Sequence, residues 1–225
     1  MFLPIGDTNI EKGSFPFFTY LLIAANVAMF FFQVTMPPTL QKDFVYTYGC
    51  IPAEITNGLD LRTLFTSMFL HGGWWHLIGN MMFLWIFADN IEATIGSFKF
   101  IMFYIGGGVV AALTHSILNA GSIMPCVGAS GAIAACLGAY IVMFPKSKVR
   151  VLFLLFLTSF SVPAVYFLGF WIVNQFMSGI GILGAATSDT DGVAYWAHIG
   201  GFVFGIVFGF MYRGHAKQME IEDEF

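Results

Sequence analysis

Apolar residues in this chain gather into long continuous runs broken by Pro, Gly or charge, without sustained alternation of period two. Runs of that kind predict buried or membrane-embedded helices rather than half-exposed strands. Six stand out, at 17–36, 75–95, 98–118, 130–144, 149–177 and 193–212. A helical crossing needs about 20 apolar residues for a hydrocarbon core of roughly 30 Å. The pattern therefore predicts an all-α polytopic membrane protein, one membrane domain over 1–225 with six transmembrane helices. The first run is too long for the apolar core of a signal peptide and has no basic leader, so it is expected to be retained.

Composition narrows the class. Of 225 residues 58% are hydrophobic and 10% charged, with a mean hydropathy of +0.80. A soluble domain carries about 25% charged residues, so this surface must be solvated by a lipid bilayer. A net charge of -4 disfavours nucleic acid as a partner, and three cysteines disfavour a disulfide scaffold. Continuous apolar runs also exclude a transmembrane β-barrel, whose strands alternate.

Charge sets the orientation. With the N-terminus inside, Lys12, Lys99, Lys146, Lys148, Arg150, Arg213 and Lys217 fall on the inner side, and only Lys42 and Arg62 on the outer. Both termini are thus expected in the cytoplasm. The long outer loop 37–74, closed by Trp74 and Trp75, reads as a segment lying partly embedded in the outer headgroups. The loop 179–192 is expected to be mobile because of Gly179, Gly181 and Gly184, and the acidic tail 220–225 to be solvated. A compact chain of this kind is expected in a plasma (inner) membrane.

Polar groups within spans are costly and mark candidate sites. His76 and Asn80 open the second span, Ser130 the fourth, and His198 lies near the start of the sixth. At ~1.5 Å per residue, Ser130 and His198 each stand about 21 Å above the inner ends of their helices, and Asn80 roughly 22 Å. Three helices place polar groups in one plane. His115 has a similar depth, but a histidine bonded to a neighbour is the better reading there. Small residues at intervals of about four, Gly131, Ala135 and Gly138 on one span and Gly201, Gly205 and Gly209 on the other, predict close approach of the fourth and sixth helices.

Together these residues make a nucleophile and a base. A serine hydroxyl attacks poorly until an imidazole takes its proton, and the resulting oxyanion needs preorganised donors. The Ser130 amide can supply one; His76 and Asn80, four apart on one helical face, can supply others. Taken alone, Ser130 reads as a helix N-cap and each glycine as ordinary packing. No carboxylate is evidently placed to orient His198, which predicts a dyad. A zinc site would use a His-Glu-x-x-His helix, which the sequence lacks. Cys50, Cys126 and Cys136 have no metal spacing and are left free. Neither a metal nor a cofactor is expected.

His-Gly-Gly-Trp-Trp-His-Leu-Ile-Gly-Asn at 71–80, Gly-Ala-Ser-Gly-Ala at 128–132 and Ala-His-Ile-Gly-Gly at 197–201 together resemble the rhomboid family of intramembrane serine proteases. The resemblance extends over about 17–213 and implies a six-helix bundle that cleaves transmembrane protein substrates in or near their spans. It assigns Ser130 as nucleophile and His198 as general base. The oxyanion hole falls to His76, Asn80 and the Ser130 amide, with Gly128, Gly131, Gly201 and Gly205 packing the helices around the site. The active site would open to the outer side. The fifth helix and the loop after it, about 149–192, would gate substrate.

Two positions depart from the family pattern. Leu61-Arg62 stands where Trp-Arg is usual, and Ala134 where some members place an aromatic against the catalytic histidine. Some other group must therefore hold the His198 ring. Two further readings use the same sequence. A non-proteolytic rhomboid-like binder would recognise transmembrane helices without turnover. A transporter would distribute its ionisable groups through the bilayer and show repeats, which this sequence does not.

Overall fold

The computed structural model describes residues 2–7, 13–183 and 194–216. Its elements run β1 (Phe2–Asp7), α1 (Phe17–Val34), α2 (Pro38–Tyr48), α3 (Pro52–Thr56), α4 (Thr63–Thr66), α5 (Trp74–Ile95), α6 (Ser97–Leu118) and α7 (Ser130–Met143). After these come β2 (Lys148–Phe153), β3 (Thr158–Pro163), α8 (Ala164–Leu183) and α9 (Tyr195–Ala216). Helix dominates. Among the described residues four helices are long and apolar enough to cross a membrane: α1, α6, α8 and α9. Helix α7 is apolar but has only 14 residues. Helix α5 has 22, but Asp89, Asn90 and Glu92 near its C-terminal end make it less apolar.

Helix α7 is the axis of the bundle. Every residue from Gly131 to Tyr140 is buried, and small side chains let its neighbours close in. A Cβ at Gly205 would stand 1.9 Å from the Ala135 carbonyl oxygen, and one at Gly201 2.1 Å from that of Gly131. The backbones of α7 and α9 touch where any side chain would separate them. Gly131 itself turns toward Ala111 of α6, where an added Cβ would meet the alanine methyl at 2.6 Å.

At ~1.5 Å per residue α7 is about 21 Å long, less than the thickness of the hydrocarbon core. Irregular backbone at membrane depth is tolerated where protein buries it or where it lines a cavity. The turn entering α7 fits that rule. Ala129 is fully buried, and the Gly128 amide donates to the Ser67 carbonyl at 2.9 Å.

The fifth expected span needs correction. Instead of one helix over 149–177, residues Lys148–Phe153 and Thr158–Pro163 form an antiparallel hairpin, and helix begins only at Ala164. A short apolar run does not by itself distinguish a buried strand from a helix. Two local features decide it here. Val149 and Val151 are buried while Lys148 is exposed, a strand-like alternation, and Pro163 lacks the amide needed to extend a helix through it. β1 completes the sheet by pairing antiparallel with β2. The expected loop 179–192 is also revised at its start, because α8 continues to Leu183. Its remainder, with Gly184, and the acidic tail lie outside the described residues. The outer segment 37–74 carries α2, α3, α4 and a 3-10 turn at Ser67–Phe69.

Candidate active site

Ser130 is the first residue of α7, and Ala129 before it is already helical with no side-chain capping bond. The serine hydroxyl is therefore not used as a cap. It lies 2.8 Å from Nε2 of His198, in the first turn of α9, 68 residues away. The α7–α9 contact that brings them together is the one made by Gly201 and Gly205.

A cavity of about 590 Å³ opens beside this pair, lined by His76, Asn80, Ser130 and His198 together with Gly72, Gly73, Trp74, Trp75, Val127 and Ala194. All four side chains singled out from sequence thus line one space. Asn80 is buried, and its Nδ2 lies 3.0 Å from Nε2 of His71. Gln33 of α1 fixes His71 in turn: its Nε2 donates to the His71 carbonyl at 3.3 Å and its Oε1 accepts from the His71 amide at 3.1 Å. Burial, with a smaller contribution from His76, pulls the His71 imidazole down to about 4. Neutral at ordinary pH, that ring can accept from Asn80.

Gly128 does not pack helices, as the sequence had implied. It sits in the loop before α7 at φ +126°, and a Cβ there would stand 2.8 Å from the His76 ring. Glycine is required twice over, by the backbone angle and by the close approach of the imidazole.

Ala134 is fully buried against Gly201 and offers nothing to the His198 ring. That ring is held from α8 instead. Trp171 lies 5.6 Å from it between centroids, tilted 36°, and Oε1 of Gln175 is 2.7 Å from His198 Nδ1. Sequence reasoning missed both. The available signal was a glutamine inside an apolar run, four residues after a tryptophan and so on the same helical face.

The other candidates stand apart. Nδ1 of His115 lies 3.4 Å from Asn119 on its own helix. Cys50 and Cys126 are free thiols, although their backbones exchange hydrogen bonds of 2.9 and 2.8 Å. Arg62 pairs with Asp60 at 2.6 Å and lies over the Tyr48 ring. Among the described residues no group of three or more His, Cys, Asp or Glu could hold a metal ion.

The architecture is that of a multi-pass helical membrane protein with a Ser–His pair beside a cavity. Residues 59–215 match the Rhomboid domain family. The chain is 29% identical over 200 residues to Rhomboid protease GluP of Bacillus subtilis, covering 88% of this chain and 35% of that protein. Rhomboid protein 1, mitochondrial, of Saccharomyces cerevisiae is 29% identical over 205 residues, 84% of this chain and 51% of the relative. Presenilin-associated rhomboid-like protein, mitochondrial, of Bos taurus is 28% identical over 194 residues, 82% and 46%. This chain belongs to the rhomboid family. It spans between about a third and a half of the length of these relatives.

Proposed function

We propose that this protein is an intramembrane serine endopeptidase that hydrolyses peptide bonds in or near transmembrane segments through a Ser130–His198 dyad. Family membership supports an intramembrane protease-type function. The observation that carries the finer reading is the 2.8 Å contact between Ser130 Oγ and His198 Nε2 at the wall of a cavity. His198 takes the hydroxyl proton as Oγ attacks the scissile carbonyl. Negative charge on the tetrahedral oxygen meets the Ser130 amide and the side chains of His76 and Asn80. Collapse gives an acyl-enzyme and a free amine, which receives the proton from His198. Water entering through the cavity then attacks the ester with the same histidine as base.

In this reading six helices cross the membrane, with α5 and α7 added to the four apolar spans. Both termini are cytoplasmic and the site opens outward, as the basic residues require. The setting is a plasma (inner) membrane; the word mitochondrial in the names of two relatives points to a mitochondrial membrane as the alternative. Substrates are transmembrane proteins with a segment that unwinds readily, because a regular helix keeps its carbonyls bonded.

Labelling by a serine-reactive fluorophosphonate tests nucleophile activation without the natural substrate. Wild type is expected to label, Ser130→Ala and His198→Ala are not, and both variants should fail to cleave a single-pass protein in liposomes. Cleavage by Ser130→Ala at the wild-type rate would refute the dyad. Binding of the single-pass protein without labelling or turnover would make the protein a rhomboid-like binder instead.

A further inference from the structure

We propose that Gln175 is a positioning residue for His198, and that seating of α8 on α9 is thereby a condition for activating Ser130. This rests on the protease reading above. The bond in question joins Oε1 of Gln175 to Nδ1 of His198 at 2.7 Å. An amide oxygen only accepts hydrogen bonds, so Nδ1 must carry the imidazole proton. The Nε2 lone pair is then directed at the Ser130 hydroxyl, 2.8 Å away. Which ring nitrogen holds the proton is set by the partner of the other, and a base facing serine through a protonated nitrogen could not take its proton. Gln175 thus occupies the place of the third group that orients the base in nucleophile–base arrangements, using a neutral oxygen in place of a carboxylate.

The partner comes from a lightly held helix. Only 17% of the spanning residues of α8 are buried, against 39% in α6 and in α9. A groove of about 690 Å³, walled by Met82 and Phe83 of α5 and by Phe167, Phe170 and Trp171 of α8, runs between the two helices. The Ser130–His198 contact belongs to the rigid α7–α9 seam, whereas the bond that sets the histidine tautomer reaches in from α8. When α8 leaves α9, the imidazole loses both Gln175 and the Trp171 face, and its proton is free to move to Nε2. Serine activation then waits until α8 returns.

Gln175→Met removes the acceptor at nearly constant size, and Gln175→Glu keeps an acceptor oxygen. In the full-length protein, Gln175→Met is expected to slow fluorophosphonate inactivation and lower kcat by roughly 10- to 100-fold, less than the ~10²–10⁴-fold of a general base itself because the base remains and only its orientation is lost. KM for a single-pass substrate should change by less than about twofold, since no substrate contact is lost. Gln175→Glu should recover most of the rate. Nitrogen-15 NMR of the histidines should report Nδ1–H at His198 in wild type and Gln175→Glu, and loss of that signature in Gln175→Met.

A Gln175→Met enzyme that reacts at the wild-type rate, or a wild-type His198 protonated at Nε2, would overturn the inference. So would a Gln175→Glu enzyme as slow as Gln175→Met with an unchanged tautomer. A wild type that does not label at Ser130 refutes the protease reading instead, and the NMR measurement still decides the tautomer.

Discussion

Two clusters of polar side chains are embedded in this bundle, one near each end, and they are built in opposite ways. At one end, the outer one in the topology proposed above, Ser130, His198, His76 and Asn80 face a cavity of about 590 Å³. At the inner end the polar groups are packed against their partners. Glu92 is fully buried and its carboxyl accepts from the amides of Phe18 and Thr19 and from the Thr19 hydroxyl at 2.7–2.9 Å. Asp7 of β1 accepts from Asn90 Nδ2 at 2.8 Å and from the Tyr140 hydroxyl, tying the sheet to α5 and α7. An intramembrane polar group is a functional candidate by default. The comparison adds that adjoining space separates chemistry from architecture. Groups facing a cavity retain capacity for a substrate, while groups saturated by the protein hold helices together.

The comparison predicts that outer substitutions reduce rate and inner ones reduce stability. Beyond the Ser130–His198 pair itself, the largest effect is expected at Asn80. Loss of one oxyanion donor typically lowers kcat by about 10²–10³, so Asn80→Ala should fall in that range in liposome cleavage while thermal unfolding in detergent stays near wild type. A large loss of stability with little loss of kcat would move Asn80 to the architectural group.

Glu92→Ala should do the reverse. Pro16 precedes α1 without any side-chain cap, so Glu92 satisfies two of the donors that a helix N-terminus leaves free and lies at the positive end of the helix dipole. Removing it strands the buried amides of Phe18 and Thr19, a loss of about 3 kcal/mol at 1–3 kcal/mol per unsatisfied group. Fluorophosphonate labelling per folded molecule should be unchanged. Tyr140→Phe is milder, because Asp7 keeps its bond to Asn90. A loss of about 1 kcal/mol is expected, read as a lower unfolding midpoint with unchanged kcat.

Much of the outer cluster was legible in the sequence, for physical reasons. Ser130, His198, His76 and Asn80 are costly in lipid, fall at one depth and carry the family's spacings. Helices α1, α6 and α9 begin within a residue or two of the apolar runs that announced them. The inner architecture was less legible. Residues 149–162 are apolar enough to read as the start of the span 149–177, and the sheet that holds them is completed by β1, from the far end of the chain. What Gln175 holds was illegible for a related reason. Its partner lies 23 residues away on another helix, and no local pattern specifies that contact.

His71 joins the two modes of the comparison, since it is buried like the inner groups but supports an outer one. Its folded-state value of about 4 lies below the ordinary 6.5, so the unfolded chain takes up a proton first as pH falls. Stability from this residue is complete above about pH 6.5 and is lost between there and about 4, by at most about 1.4 kcal/mol per pH unit for one proton. Protonation also removes the lone pair that accepts from Asn80. His71 should therefore add up to one proton to the slope with which wild type loses unfolding resistance in acid, and His71→Asn, whose side chain does not titrate there, should show a slope shallower by that amount. An unchanged slope in that variant would place the acid-sensitive group elsewhere.

The smallest effect is expected at Arg62. Its bond to Asp60 lies on the surface with the guanidinium side chain 58% exposed, where solvent screens an ion pair to little net effect. Asp60 holds the guanidinium more firmly protonated, which changes nothing at working pH because arginine is charged throughout. Contact with the Tyr48 ring adds a cation–π attraction that is also weak at an exposed site. Arg62→Ala should shift the unfolding midpoint only slightly and leave fluorophosphonate labelling unchanged. A marked loss of labelling would mean that the segment carrying Arg62 acts on the site, extending the outer cluster beyond Ser130, His198, His76 and Asn80.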